Sequence, residues 1–184
     1  MKIGIVGGIG SGKSTVSNIL RELGYMVIDC DAVYKDITNE KEYIDLIDKT
    51  FPGCVIDGQI DRTILGNQVF NDKNKLAQLN SLAHPLVLKR LDEIINNQDK
   101  DVFIEVQVVD DRMKNYLDKI LFVSSDVKFR IQRVMARSGY SKEYVKKIIA
   151  SQTSNEEYEK MATYIVLNNK GPLELRQQLI RLFA

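Results

Sequence analysis

Apolar positions along this chain recur in two rhythms, short continuous runs and longer stretches spaced three and four apart. Ile3, Ile5 and Val6 form the first run, the pattern of a buried strand. It breaks into a loop holding Gly7, Gly8, Gly10 and Gly12, and the loop leads into a helical pattern from Lys13. Val16, Ile19, Leu20 and Leu23 mark that helix, and Gly24 is its expected stop. Met26–Ile28 is a second strand, ending in Asp29-Cys30-Asp31. Asp101–Val106, Lys119–Val123 and Tyr164–Leu167 are the third, fourth and fifth, and Leu173–Phe183 is a closing helix. Strands alternating with helical patterns predict an α/β fold with a parallel sheet.

Residues 32–97 interrupt that alternation, with little strand signal. Ile44, Leu46 and Ile47 read as helical, followed by a loop at Pro52-Gly53 and a turn at Asp57-Gly58. A helical stretch with Ile64, Leu65, Val69 and Phe70 comes next, then another over Leu76–Leu82. His84-Pro85 opens a further helix carrying Leu86, Leu88, Leu91, Ile94 and Ile95, with proline in its first turn. The block is too long for a simple strand-to-helix connection and is expected to hold a second substrate.

Composition narrows the function classes. At 184 residues and 44% hydrophobic content, the chain is expected to be one domain with a modest insertion. Lys plus Arg number 26 against 25 Asp plus Glu, so charge balance predicts neither nucleic-acid nor membrane partners. Cys30 and Cys54 form no metal or redox spacing, which implies a reducing compartment. No stretch has the length of a membrane span and the glycine loop interrupts any signal-peptide pattern, so a soluble cytoplasmic protein is expected. Charge is nonetheless uneven. Between Lys128 and Lys147 there are seven cations (Lys128, Arg130, Arg133, Arg137, Lys142, Lys146, Lys147) and one anion, Glu143. Arg130, Arg133 and Arg137 share a helical face, Ser138-Gly139 marks a turn, and Ser141 is placed to cap the next helix. Such a face is either simply solvated or a lid whose Arg133 or Arg137 reaches a transferring phosphoryl group.

Gly7–Ser14 fits G-x-x-x-x-G-K-S/T, in the strand-before, helix-after context that a phosphate-cradling loop requires. Glycine lets successive N–H groups approach a phosphate, and the helix from Lys13 adds the positive end of its dipole. Lys13 is placed to reach β- and γ-phosphates, and the Ser14 hydroxyl to ligate Mg²⁺. Glu105, near the end of the third strand, either completes the metal shell or anchors the loop by hydrogen bonds. Asp29 and Asp31 end a strand where ligands of open sheets sit; they orient an acceptor hydroxyl, touch the metal shell, or cap a helix. His84, the only histidine, reads on its own as a structural hydrogen-bonder. Asn168-Asn169-Lys170-Gly171 is a turn without the aspartate that guanine-specific GTPases use.

Taken in order, these motifs resemble the dephospho-coenzyme A kinases over nearly the whole chain. Gly7–Thr15 is similar to that family's phosphate loop, and Val27–Asp31 to its V-I-D-A-D, with Cys30 in place of alanine. Ile60-Asp61-Arg62, Leu82-Ala83-His84-Pro85, Gln132–Arg137 with Ser138-Gly139, Gln152 and Asn169-Lys170-Gly171 also fall in register. The resemblance implies a P-loop NTPase-type fold: a five-stranded parallel sheet flanked by helices, a helical acceptor-binding insertion and a helical lid. It divides 1–184 into a nucleotide core (1–31 and 98–184), an acceptor subdomain (32–97) and a lid (126–153). It implies Mg²⁺-dependent transfer from ATP to the ribose 3′-hydroxyl of dephospho-CoA by a monomer or weak homo-oligomer. Gly10, Ser11, Gly12, Lys13, Ser14 and Thr15 would bind ATP phosphates, with Lys13, Asp31 and Arg137 catalytic. Ser14 and Glu105 would hold the metal, Asp31, Arg62 and His84 would meet the acceptor, and Asn169 would lie near adenine. A kinase of another small acceptor (nucleoside, nucleotide or sugar) and a non-catalytic nucleotide sensor are the alternatives. The chain departs from the family at Gln107–Asp111, which replaces Pro-Leu-Leu, an aromatic residue and Glu, and at Thr163, where aspartate is common.

Overall fold

The computed structural model describes residues 1–183 apart from Asn71, Asn97 and Asp99, so the expected edge of the helical block at Asn97 lies outside the described residues. The chain begins β1 (Lys2–Val6), α1 (Lys13–Glu22), β2 (Met26–Asp29), α2 (Cys30–Ile37) and α3 (Lys41–Thr50). Then come β3 (Val55–Ile56), β4 (Gln59–Ile60), α4 (Arg62–Val69), α5 (Lys73–Ile95), β5 (Val102–Glu105) and α6 (Asp111–Tyr116). It ends β6 (Lys119–Ser124), α7 (Val127–Ser138), α8 (Lys142–Ala150), α9 (Asn155–Met161), β7 (Tyr164–Leu167) and α10 (Pro172–Phe183).

Met1–Asp29 and Gln98–Ala184 form one unit. Its five strands lie in the order β2-β5-β1-β6-β7, all parallel. The third-strand assignment from sequence thus corresponds to β5, the fourth to β6 and the fifth to β7. β1 is central, with Ile5 opposite Glu105 on one side and Val6 opposite Phe122 on the other. Both of its faces are covered, which is why Ile3, Ile5 and Val6 are all fully buried and read as a run. From β1 the chain turns one way to β2 and later crosses through β5 to β6 on the other side. The crevice beyond the C-terminal end of β1 is therefore a switch point, where open α/β sheets take ligands.

One sheet face packs Ile3, Ile5, Phe103, Leu121 and Val166 against α1 and α10 through Val16, Ile19, Leu20, Leu175 and Leu179. Phe183 closes this layer with edge-on contacts to Tyr25, Phe103 and Tyr164, and the Tyr25 hydroxyl donates to its carbonyl. The other face stacks Phe122 on Tyr158 of α9. A reciprocal pair, Ser154 and Glu157, caps α9, and the Ser154 N–H holds the Glu157 carboxyl below its usual range. At the end of β7 the Gln178 amide satisfies the edge, accepting from the Leu167 N–H at 2.8 Å and donating to its carbonyl at 2.9 Å.

Cys30–Asn97 form the second unit. Ala83, Val87 and Leu91 make a buried stripe on α5, which packs on α2, α3 and α4 through Val33, Ile37, Tyr43, Ile47, Leu65 and Val69. β3 and β4 are a hairpin whose turn, Asp57-Gly58, is left-handed at both residues. Both cysteines are buried, and neither is in a disulfide. Burial, then the carboxylates of Asp61 and Asp48, pushes the Cys54 thiol up, so it stays neutral as a core residue.

The separate helices expected over Leu76–Leu82 and from His84-Pro85 are a single helix, α5, with Pro85 inside it. Proline carries no N–H for the carbonyl of Ser81 one turn back, and this normally ends a helix. Here the stripe Ala83, Val87, Leu91 continues past the proline at fourfold spacing and holds the helix through the defect. Pro85→Ala should therefore raise the unfolding free energy by about 1–2 kcal/mol, the restored helix outweighing the more flexible unfolded chain. Urea denaturation followed by circular dichroism measures it, and an unchanged or lowered midpoint would contradict this reading.

Candidate active site

α1 opens in a way that leaves its first turn available to an anion. Gly12 caps it in a left-handed conformation with no side-chain hydrogen bond, and the first turn holds no acidic residue. Both absences matter, because an Asp or Ser cap would compete for the same N–H groups. Lys13 is 8% exposed, and its Nζ donates to the Gly7 carbonyl at 2.7 Å. The lysine thus folds back across the loop it belongs to.

Every carbonyl from Gly7 to Gly12 has a donor. Gly7 takes Lys13 Nζ, Gly8 takes the Ser11 N–H at 3.1 Å, and Gly12 takes the Val16 N–H at 3.0 Å. Ile9 takes Arg130 Nε at 2.9 Å, Gly10 takes Arg133 Nη1 at 3.2 Å, and Ser11 takes Asn168 Nδ2 at 2.8 Å. The N–H groups of Gly10 and Gly12 have no acceptor among the described residues. The loop is therefore polarised, with carbonyls turned into the protein and amide groups left for an incoming acceptor. Gly12 must be glycine on two counts: its φ is 103°, and a Cβ there would fall 2.1 Å from Asn168 Nδ2.

A cavity of about 400 Å³ lies over the loop. It gathers Gly10, Gly12, Lys13, Ser14, Thr15, Glu105 and Arg137, together with Gln107, Arg133, Val134 and Gln152. Two residues expected to bind ATP, Ser11 at the phosphates and Asn169 near adenine, are not in its lining. Ser11 is buried, its N–H spent on Gly8, and its Oγ has no hydrogen-bond partner among the described residues. The Asn169 side chain braces the start of α7 instead, accepting from the Ser125 hydroxyl and the Asp126 N–H and donating to the Asp126 carboxylate.

Glu105, 7% exposed, is the one carboxylate in the lining. Its Oε2 accepts from Ser17 Oγ at 2.7 Å, and its Oε1 lies 3.5 Å from Ser14 Oγ. Both earlier alternatives thus have a physical basis: one oxygen is anchored on α1, and the other faces the Ser14 hydroxyl across the cavity wall. Neighbouring ligands of an octahedral Mg²⁺ stand about 2.9 Å apart, so this pair of hard oxygens fits the ion after a small adjustment. No group of three or more His, Cys, Asp or Glu able to hold a metal occurs among the described residues. The protein set suits an ion that takes most of its ligands from phosphate and water.

The arginines predicted on one face of α7 differ in depth. Arg130 is buried, and burial lowers its pKa; Arg133 is half-buried and Arg137 exposed. Arg133 ties Gly10, Ser125 and Asn168 together, with Nη2 2.7 Å from the Asn168 carbonyl. Arg137, one turn on, lines the cavity and has no tie of that kind among the described residues. Ser17 and Asn168 escaped the sequence reading. Ser17 lies one turn beyond Ser14 on the same helix face, so helical spacing could have flagged it. Asn168 looked like the first residue of a turn, and only the parallel pairing of β6 with β7 carries it beside the loop.

Asp31, Arg62 and His84 belong to the second unit. Asp31 is exposed in the first turn of α2, within the helix rather than before it as a cap. Arg62 begins α4 and lines a pocket of about 670 Å³ with Tyr34, Lys35, Thr38, Asn39 and Tyr43 among its walls. His84 is half-buried in the middle of α5 and is not in that lining, nor is Asp31. Tyr34 and Tyr43 meet edge-on at 6.3 Å with their hydroxyls 3.3 Å apart. Burial, reinforced by that hydrogen bond, pushes the Tyr43 phenol up.

Among the described residues, no helix is long and apolar enough to cross a membrane. The sequence model described as dephospho-CoA kinase matches residues 1–174. A dephospho-CoA kinase from Fusobacterium nucleatum is 38% identical over 98% of this chain and 96% of its own. A crystal structure of a Thermus thermophilus protein superposes with a TM-score of 0.85 at 36% identity, covering 99% of this chain and 95% of that one. Dephospho-CoA kinase from Campylobacter jejuni gives 0.71 at 26% identity, over 99% and 96%. With the motif order, the five-stranded parallel sheet and the polarised loop already established, this full-length similarity leads to one assignment: the chain belongs to the dephospho-CoA kinase family.

Proposed function

We propose that this protein transfers the γ-phosphoryl group of ATP to the ribose 3′-hydroxyl of dephospho-CoA, giving coenzyme A and ADP. The observation that carries the reading is the loop whose carbonyls are all satisfied from within, set beside Lys13 and Arg137 in a chain of this family. Phosphoryl transfer asks a protein for positioning and charge compensation, and those are what the loop supplies. The acceptor oxygen attacks the γ-phosphorus, the bond to the β–γ bridging oxygen breaks, and ADP leaves. Asp31 orients the 3′-hydroxyl and takes its proton. Lys13 and Arg137 stabilise charge as it spreads over the transferring group, while the amide groups of Gly10 and of Gly12–Thr15 hold the rest of the triphosphate.

Mg²⁺, when bound, neutralises phosphate oxygens and polarises the bond to phosphorus. Ser14 and Glu105 would hold it, with Ser17 fixing the carboxylate's orientation. In this reading the Cys30–Asn97 unit takes the acceptor through Arg62 and His84, residues 126–153 act as the lid, and the Asn169 turn borders adenine through its backbone. A cytoplasmic setting and a monomer or weak homo-oligomer complete it.

Incubation with Mg-ATP and dephospho-CoA should yield a product heavier by one phosphoryl group, read by mass spectrometry. A nucleoside or sugar phosphorylated in its place would transfer the site to another acceptor. Asp31→Ala should lower turnover by about 10²–10⁴-fold while leaving ATP affinity within a few-fold of wild type. Turnover at the wild-type rate would remove Asp31 from the mechanism. Glu105→Gln should raise the Mg²⁺ concentration for half-maximal activity by roughly tenfold or more. An unchanged Mg²⁺ titration would restrict Glu105 to bracing α1.

A further inference from the structure

Arg130 is 3% exposed, yet every acceptor it reaches is neutral. Nε donates to the Ile9 carbonyl at 2.9 Å, Nη1 to Asn155 Oδ1 at 3.3 Å and Nη2 to Gln152 Oε1 at 3.4 Å. Among the described residues no carboxylate lies within ion-pairing distance of it. Burial lowers its pKa, so the fold bears the cost of keeping this cation out of water. A buried charge ordinarily has a charged partner.

Its position indicates what the partner is. The guanidinium lies against the loop: a Cβ on Gly8 would fall 2.0 Å from Nη2. Gly8, Ile9 and Gln152 line the cavity, whereas Arg130 does not. The Ile9 peptide is gripped at both ends, its carbonyl by Arg130 and its N–H by Gln152 Oε1 at 2.8 Å. One layer of glycine backbone thus separates an uncompensated cation from the space over the loop, and little water intervenes to screen it.

We propose that Arg130 is a positioning residue of the phosphate site, an internal cation behind the loop whose charge is balanced by the bound polyphosphate and not by the protein. This rests on the reading that the loop holds the phosphates of ATP. Arg130 turns the Ile9 carbonyl away from the nucleotide and attracts it through the backbone in proportion to its charge. Lys13, Arg133 and Arg137 act from the cavity itself; Arg130 acts from the far side.

Calorimetric affinities for ATP, ADP and AMP in metal-free buffer test this on wild type, Arg130→Met, Arg130→Lys and Asn155→Asp. Arg130→Met should weaken ATP by about tenfold or more, ADP by less and AMP least, while Arg130→Lys keeps most of the ATP affinity. Asn155→Asp leaves the guanidinium in place and gives it a carboxylate. It should raise the melting temperature of the nucleotide-free protein and weaken the three nucleotides in the same order. If circular dichroism shows Arg130→Met unfolded, the other two variants decide. Equal losses for all three nucleotides, Arg130→Lys as impaired as Arg130→Met, or Asn155→Asp binding ATP as wild type does would each overturn the proposal. Wild-type protein that bound no nucleotide would bring down the phosphate-loop reading as well, an outcome distinct from wild-type binding with ungraded variants.

Discussion

A loop that offers its N–H groups to an anion must first dispose of its carbonyls, and much of this unit is arranged around that requirement. Six consecutive carbonyls, Gly7 to Gly12, each find a donor within the protein. Two are satisfied by backbone within the loop and α1, one by Lys13, and three by side chains from distant sequence: Arg130, Arg133 and Asn168. The long-range donors enter from α7 and from the end of β7, elements that a strand-loop-helix motif does not contain. An unpaired buried carbonyl costs about 1–3 kcal/mol, so losing any of these donors would loosen the loop geometry. The glycines serve the same arrangement from the other side, since side chains at positions 8 and 12 would occupy the places of the Arg130 guanidinium and the Asn168 amide.

Arginine and lysine divide the work according to their shapes. Lys13 is a point charge on a flexible stem, and one rotatable ammonium holds the Gly7 carbonyl. Arg133 is tied more widely: its planar fork spans Gly10, Ser125 and Asn168 at once, and letting go would release the loop from both α7 and β7. Of the two arginines that the charge cluster suggested for the transferring group, Arg137 has the freedom that the role demands. Arg133 holds the frame around it.

How much of this was legible in the sequence depended on whether the cause was local. The central strands of the large sheet were readable because such parallel strands are apolar on both faces, so Ile3-Ile5-Val6 and Ile120–Val123 stand out as runs. The Ser141 cap was readable because it acts three residues ahead, on the Tyr144 N–H. α2, α6 and α9 were not anticipated. α6 buries no residue and α9 only Tyr158, so neither has an apolar stripe to detect. α2 does show Cys30, Val33 and Ile37 at helical spacing, but the strand-end aspartates drew attention to ligand contacts or a helix cap and the helix itself was not traced. Pro85 misled for the opposite reason: a strong local signal was overruled by tertiary burial of α5. In the site, the motif itself and Glu105 were visible, whereas the carbonyl donors were hidden, because no local pattern relates Asn168 to Ser11 across 157 positions.

The Ile9 peptide shows what this long-range bracing implies for motion. Its carbonyl is held by Arg130 on α7 and its N–H by Gln152, just beyond α8, while Arg130 also reaches Asn155 at the start of α9. Three helices converge on one peptide unit, so none of them can shift without breaking a hydrogen bond or carrying the loop along. A flexible glycine loop with only local contacts would sample many geometries and pay for ordering when the anion arrives. Here the ordering cost is met on folding, by helices whose own cores, Ile131 with Val134 and Val145, and Phe122 with Tyr158, already fix them. The rigidity of the glycine loop is therefore a property of α7–α9 as much as of the motif itself, and substitutions in those helices reach it through a single peptide.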